Sequence, residues 1–254
     1  MTWHVETSGS GPDLVLLHGW GLHSGAWAEV LPMLAARFRV HAFDLPGHGH
    51  SADVEAGPFD EATDRLSAQV PVGATVCGWS LGGLVAQALA CRHPDRVSRL
   101  ALVSTTPCFV ARDGWPHGMT DVAFRSFTEG LGNNRDMMIK RFVALNALHG
   151  PQSREAVRTF TARLAERGPP SDHALAATLG WLRDVDLRER TKGLAVPTFV
   201  VHGRRDMMVP VGAGRWFVQN LPNATLRELA SAAHMPFYSH RAEFLAALEE
   251  LAVA

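Results

Sequence analysis

Ser80 sits between glycines in the string Gly78-Trp79-Ser80-Leu81-Gly82-Gly83. The preceding run Ala74-Thr75-Val76-Cys77 reads as a short buried strand, and Leu84 to Ala90 reads as a helix. In that setting the glycines let the chain reverse sharply and hold the serine in a strained turn, its hydroxyl raised above the sheet as an attacking group. A serine hydroxyl is a weak nucleophile at neutral pH, so it needs a general base in hydrogen-bond reach and an acid that orients the base. His234 lies beyond the last expected strand, in the loop Ala232-Ala233-His234-Met235-Pro236 before the closing helix, and is the candidate base. The run Thr198 to Val201 leads into His202-Gly203-Arg204-Arg205-Asp206, which puts Asp206 in a strand-end loop as the candidate acid. Asp44, after the strand Val40 to Phe43, is the rival acid; its plainer reading is a loop residue holding the turn Asp44-Leu45-Pro46-Gly47-His48-Gly49. Ser104-Thr105-Thr106-Pro107, after the strand ending at Val103, carries no carboxylate.

The tetrahedral intermediate of acyl transfer needs backbone donors aimed at its oxyanion. One is expected from Leu81, the residue after the nucleophile, and a second from the amide of Trp20 in Leu17-His18-Gly19-Trp20-Gly21. His18, His48, His50 and His202 read as structural hydrogen-bonders. No H-E-x-x-H, paired carboxylate cluster or phosphate-cradling G-x-x-x-x-G-K occurs, so no metal site is expected.

Strands that alternate with helices must carry these groups. Leu14 to Leu17, Val40 to Phe43, Ala74 to Cys77, Leu100 to Val103, Thr198 to Val201 and Thr225 to Leu229 are the expected strands, with helix-period segments such as Trp27 to Phe38 and Arg241 to Leu251. The pattern implies βαβ units and a mostly parallel sheet flanked by helices, with the site at the carboxyl ends of the strands. From about Cys108 to Leu187 the alternation stops. Apolar residues there fall at helical intervals, as in Phe124, Phe127, Leu131 and Met138, Phe142, Leu145. The expected organisation is a core of residues 1–107 and 188–254 with a helical cap, 108–187, inserted into it. The chain order Ser80, Asp206, His234 is that of an α/β-hydrolase.

Composition fits one soluble enzyme domain. The 254 residues are 46% hydrophobic and 19% charged, with a formal net charge of -1, so the chain as a whole has no basic footprint for nucleic acid. Cys77, Cys91 and Cys108 lack C-x-x-C spacing and read as small core residues rather than a disulfide or zinc framework. No run reaches the ~18 apolar residues of a membrane helix, and the N-terminus lacks the pattern of a secretory signal; a cytoplasmic monomer is expected.

Taken together, His18-Gly19-Trp20-Gly21-Leu22 with Trp27, Asp44 to Gly49, Gly78 to Gly83, His202 to Asp206, Ala233-His234 and the string Arg141-Phe142-Val143-Ala144-Leu145-Asn146 resemble the pimeloyl-acyl-carrier-protein methyl ester esterase family of biotin synthesis. The resemblance covers nearly the whole chain. It implies a cofactor-free serine carboxylesterase that releases methanol from a seven-carbon dicarboxylate carried on an acyl-carrier protein. Carried over by residue, Ser80 is the nucleophile, His234 the base and then acid, Asp206 its orienter, and Trp20 with Leu81 the oxyanion hole. Trp20, Trp79 and Leu81 lie near the substrate, and Phe142, Val143, Ala144, Leu145 and Asn146 line the acyl channel from the cap. On helical periodicity alone, Phe142 and Leu145 fit cap-helix packing equally well.

An acidic carrier needs a basic dock. Seven basic residues against three acidic ones lie between Arg135 and Arg167, a local surplus on a chain that is net -1. Arg141, Arg154 and Arg158 match basic positions of the family's carrier-binding cap; a further such position is Met137 here, with Lys140 beside it. A solvated arginine-rich helix face has the same look. A carboxylesterase of broad or different specificity has the same triad, as pocket shape rather than fold sets the substrate. A non-enzymatic binder on this fold would have no use for the triad. Dehalogenases and epoxide hydrolases carry aspartate at the elbow.

Overall fold

Seven strands, β1 (Val5–Ser8), β2 (Asp13–Leu17), β3 (Arg39–Phe43), β4 (Ala74–Trp79), β5 (Val97–Val103), β6 (Thr198–Gly203) and β7 (Ala224–Leu229), join in one sheet ordered β1-β3-β2-β4-β5-β6-β7. The structure is a computed structural model and describes residues 2–129, 135–147 and 152–253. All pairings are parallel except β1 on β3, which runs antiparallel with Val5 opposite Phe43. The middle strands are buried on both faces, as β4 is along its whole length, which explains their unbroken apolar sequences. Strand β1 escaped the sequence reading because Val5-Glu6-Thr7-Ser8 is short and polar, as suits a half-exposed edge.

Helices α1 (Leu31–Ala35), α2 (Phe59–Ser67) and α3 (Leu81–Arg92) connect the first five strands. The segment Trp27 to Phe38, expected as one helix, is helical only over α1, preceded by a short turn at Ser24–Trp27. Pro32 explains the late start: it has no amide hydrogen to donate and is tolerated only in a first helical turn.

Between β5 and β6 the chain leaves the sheet and makes α4 (Asp121–Thr128), α5 (Arg135–Ala147), α6 (Ser153–Arg167), α7 (Asp172–Asp184) and α8 (Arg188–Thr191). Thr120 and Ser171 cap α4 and α7, their hydroxyls accepting from the amides of Ala123 and Ala174. The excursion is pinched at its root, where Cys108 bridges Asp186 and the Leu187 amide donates to Pro107 O at 2.8 Å. Leu131 lies outside the described residues, as do the side chains of Arg135 and Asp136. Helix α9 (Val211–Asn220) links β6 to β7, and α10 (Pro236–Ser239) and α11 (Arg241–Val253) follow.

Strand order reverses between β2 and β4, since β2 hands on to β3 on one side while β4 and its successors build out on the other. That is where an open α/β sheet forms its crevice. The loops leaving β2 and β4 carry Trp20 and Ser80. Among the described residues no helix is long and apolar enough to cross a membrane.

Candidate active site

Ser80 follows the last residue of β4 with φ 54 and ψ -117, a backbone state that costs roughly 1–3 kcal/mol in a residue with a side chain. The neighbouring strand holds it there. The Ser80 amide donates to Val103 O at 3.0 Å, and the Thr105 hydroxyl donates to Ser80 O at 2.7 Å. Gly82 has no alternative residue, because a Cβ would collide with the carbonyl oxygens of Leu17 and His18. Its absence lets the start of α3 press against the β2 loop, bringing together the two segments that bear Leu81 and Trp20. No acceptor among the described residues takes the amide hydrogen of Trp20 or of Leu81, which leaves both donors available to a developing oxyanion.

His234 Nδ1 lies 2.7 Å from Asp206 Oδ2, and both side chains are buried. The other carboxylate oxygen, Oδ1, accepts from the amides of Met208 and Val209, each at 2.9 Å. Burial alone would raise the Asp206 carboxyl; the charge and hydrogen bond of His234, with His202 and the Val209 amide, hold it below the usual carboxylate range. Asp206 is thus an anion that fixes the Nδ1 proton of His234 and leaves Nε2 as the basic nitrogen. Gly203 brings the acid and base loops into contact, since a Cβ there would meet the Ala232 and Ala233 carbonyls.

Two further contacts seat the base. The Trp79 indole N–H donates to His234 O at 2.8 Å, and the His234 amide donates to Asn146 O at 3.3 Å. The Trp79 ring packs against Trp27, Phe237 and the His234 imidazole, so it also braces the His234 loop. The second ties the last turn of α5 to the sheet domain.

Trp20 does reach upward. Its indole N–H donates to Leu175 O of α7 at 3.2 Å, and its ring meets Phe142 of α5 and Phe127 of α4 edge-on, at 5.0 and 5.4 Å. Three inserted helices therefore converge on one indole. Phe127 and Leu175 belong to this cluster although the motifs did not mark them; the 124/127 helical spacing was the only signal for Phe127, and Leu175 gave none. Phe142, Val143 and Asn146 are buried and Leu145 is half-buried, whereas Ala144 faces solvent. Consecutive helical residues turn by about 100° each, so these five side chains point to different sides of α5, Ala144 on an exposed one.

Asp44 is occupied elsewhere. It accepts from the Ser24 amide at 2.6 Å and the His50 amide at 2.8 Å, and pairs with Arg167 of α6 at 3.1 Å. Arg167 also binds Glu6 and the Ser24 hydroxyl. Arg163 pairs with Glu166 and Glu29, and its carbonyl faces His23 Nε2 at 2.9 Å. Two of the seven basic residues counted between 135 and 167 thus serve to fasten α6 to the body. Lys140, Arg141, Arg154 and Arg158 are exposed, as is Met137, and among the described residues no carboxylate pairs with these four cations. His4, Glu6 and His50 place ligand-type atoms within 4.8 Å of one another. The Arg167 guanidinium already occupies the Glu6 carboxylate there, so a cation would have to displace it.

The remaining buried histidines are neutral braces. The Leu45 amide donates to His18 Nε2 at 2.9 Å and the Gly21 amide to His48 Nε2 at 3.3 Å. Burial pushes His18 down to about 3 and His48 down to about 4. Both lie below the ordinary value of 6.5, so on acidification the unfolded chain takes up protons that the folded chain refuses. Their stabilising contribution is complete above pH 6.5 and is lost as the pH falls toward 4, at about 1.4 kcal/mol per pH unit per ring. Urea unfolding at pH 7 and pH 5 should register this as a lower midpoint at pH 5, with a shallower dependence in His48→Gln. Equal midpoints at the two pH values would remove the account.

The α/β-hydrolase fold family model matches residues 12–241. The chain is 42% identical over 250 residues to the pimeloyl-[acyl-carrier protein] methyl ester esterase of Chromobacterium violaceum, covering 98% of each chain. It is 41% identical over 249 residues to the protein of the same name from Nitrosomonas europaea, again covering 98% of each. Among solved structures, an esterase from Exiguobacterium antarcticum superposes with a TM-score of 0.88 at 26% identity, over 99% of this chain and 96% of that one.

Proposed function

The chain belongs to the pimeloyl-[acyl-carrier protein] methyl ester esterase family of α/β-hydrolases, and from that membership we propose that it hydrolyses the methyl ester of pimeloyl-acyl-carrier protein, using Ser80, His234 and Asp206. The observation that carries the chemistry is the 2.7 Å contact between His234 Nδ1 and Asp206 Oδ2, which with a Ser80 held at positive φ after β4 supplies the acid, base and nucleophile of acyl transfer. His234 Nε2 takes the Ser80 proton as Oγ adds to the ester carbonyl, and the Trp20 and Leu81 amides bind the resulting oxyanion. Collapse of the intermediate breaks the bond to the methoxy oxygen, which leaves as methanol with the proton from His234. Water, deprotonated by the same nitrogen, then cleaves the acyl-serine and releases the free carboxylate on its carrier. Every proton moves through one imidazole, and no step needs a metal or an organic cofactor.

The residues 108–187 act as a cap in this reading. Phe142, with Trp20 and Phe127, supplies the apolar wall that a seven-carbon acyl chain requires, and the exposed Lys140, Arg141, Arg154 and Arg158 supply the basic face for the carrier. The test is to incubate the protein with the methyl ester of pimeloyl-carrier protein and follow its mass. Loss of the methyl group should far outpace hydrolysis of a simple short-chain methyl ester; equal rates would favour a broad carboxylesterase instead. Reversing charge in Arg154→Glu with Arg158→Glu should lower kcat/KM for the carrier-bound ester by about tenfold or more at low salt and leave a small soluble ester unaffected. Equal losses on both substrates would remove the docking role.

A further inference from the structure

The acid of the triad has a second imidazole beside it. His202, the penultimate residue of β6, is fully buried with Nε2 3.5 Å from Asp206 Oδ2, the same oxygen that receives His234 Nδ1. The same Nε2 lies 2.9 Å from Val209 O. Val209 in turn donates its amide to Asp206 Oδ1, so His202, Val209 and Asp206 close a ring of contacts across the turn that follows β6. The other nitrogen of His202, Nδ1, is buried and has no partner among the described residues. An N–H there would be stranded, so the proton belongs on Nε2, where Val209 O accepts it and Asp206 Oδ2 lies nearby.

We propose that His202 is a positioning residue for the triad: its neutral Nε2–H, donated to Val209 O, holds the acid loop and sets a positive dipole 3.5 Å from Asp206 Oδ2 that offsets part of the charge the carboxylate presents to His234. This rests on the triad assignment above. The consequence is electrostatic as well as geometric. A carboxylate that loses the neighbouring N–H dipole becomes a stronger partner for the imidazolium form of His234. His202 touches no substrate, because its ring is sealed beneath the loop.

Two amide substitutions separate the donor from the bulk. In His202→Gln the side-chain nitrogen reaches the place of Nε2, whereas in His202→Asn it reaches only the place of Nδ1. The expected result is a near-normal kcat/KM–pH profile for the glutamine variant. The asparagine variant should show an acidic limb moved up by about half a pH unit or more, and a kcat about tenfold lower with KM little changed. Folded glutamine and asparagine variants that share one profile would overturn the proposal. A measurement on the unaltered protein does not depend on either variant folding: 15N-histidine spectra should show His202 protonated at Nε2 throughout pH 5 to 8, and an Nδ1–H tautomer would overturn it. Ser80→Ala and Asp206→Asn, assayed on the same ester, keep the two ideas apart. Activity lost in both, with no difference between the His202 variants, sinks the His202 role alone; activity retained in Ser80→Ala sinks the triad.

Discussion

Ser80→Ala is expected to lower ester hydrolysis by roughly 10⁴- to 10⁶-fold, because the remaining oxyanion donors and binding contacts give only residual catalysis once the attacking oxygen is gone. The substitution keeps the Cβ and the main-chain contacts to Val103 and Thr105, so the loss falls on chemistry and not on folding. A fluorophosphonate probe should label the wild-type protein and fail on the variant. Ser80→Gly should lose activity to the same degree, yet be more stable than the alanine variant by about 1 kcal/mol, since glycine adopts φ 54 without the clash that a Cβ brings. Hydrolysis of the carrier-bound ester by Ser80→Ala at more than a few per cent of the wild-type rate would mean that another group attacks.

The largest stability effect is expected at Arg167. Its guanidinium is 13% exposed and bridges Glu6 to Asp44, a carboxylate with no exposure at all. Burial acts to raise Asp44; His18 and the donors from Ser24 and His50 bring it down to about 2, so it is an anion at any working pH. Removing the arginine leaves that charge with amide donors but no counter-ion, at a cost of about 3 kcal/mol. For a domain of this size that is a fall in Tm of roughly 6–12 °C. Thermal unfolding of Arg167→Ala measures it. Pairing Arg167→Leu with Asp44→Asn should recover much of the loss, because no uncompensated charge then remains. A loss below about 1 kcal/mol would show that water serves Asp44 as well as the arginine does. Because Arg167 ends α6 and α6 also meets His23 through the Arg163 carbonyl, the variant should also loosen the inserted helices over the site.

Much of this was legible from local pattern. The strand, elbow and helix around Ser80 are written in contiguous residues, since the glycine spacing, the β4 apolar run and the α3 periodicity each concern neighbours in the chain. The order of Ser80, Asp206 and His234 follows from where strands end. Residue type alone was a poorer guide to placement. Arg163 and Arg167 counted toward a basic face because their partners, Glu29, Asp44 and Glu6, lie more than a hundred positions away in sequence. Nor does residue type show that the Trp79 indole holds the carbonyl of His234, 155 positions on. His202 reads as a structural histidine; the turn of residues 203–209 brings its Nε2 beside Asp206, a local geometry that residue types alone do not spell out.

By itself, then, the sequence determined the fold and the reaction class and singled out Ser80, His234 and Asp206 as the candidate nucleophile, base and acid, because strand, turn and helix preferences act over a few residues and a parallel sheet delivers its loops to one edge. Only the tertiary structure decided which charges face solvent, and that the Trp79 indole braces the His234 loop while Trp20 reaches the inserted helices. Those outcomes depend on burial, and burial is a property of the assembled sheet and helices that no short stretch of chain contains.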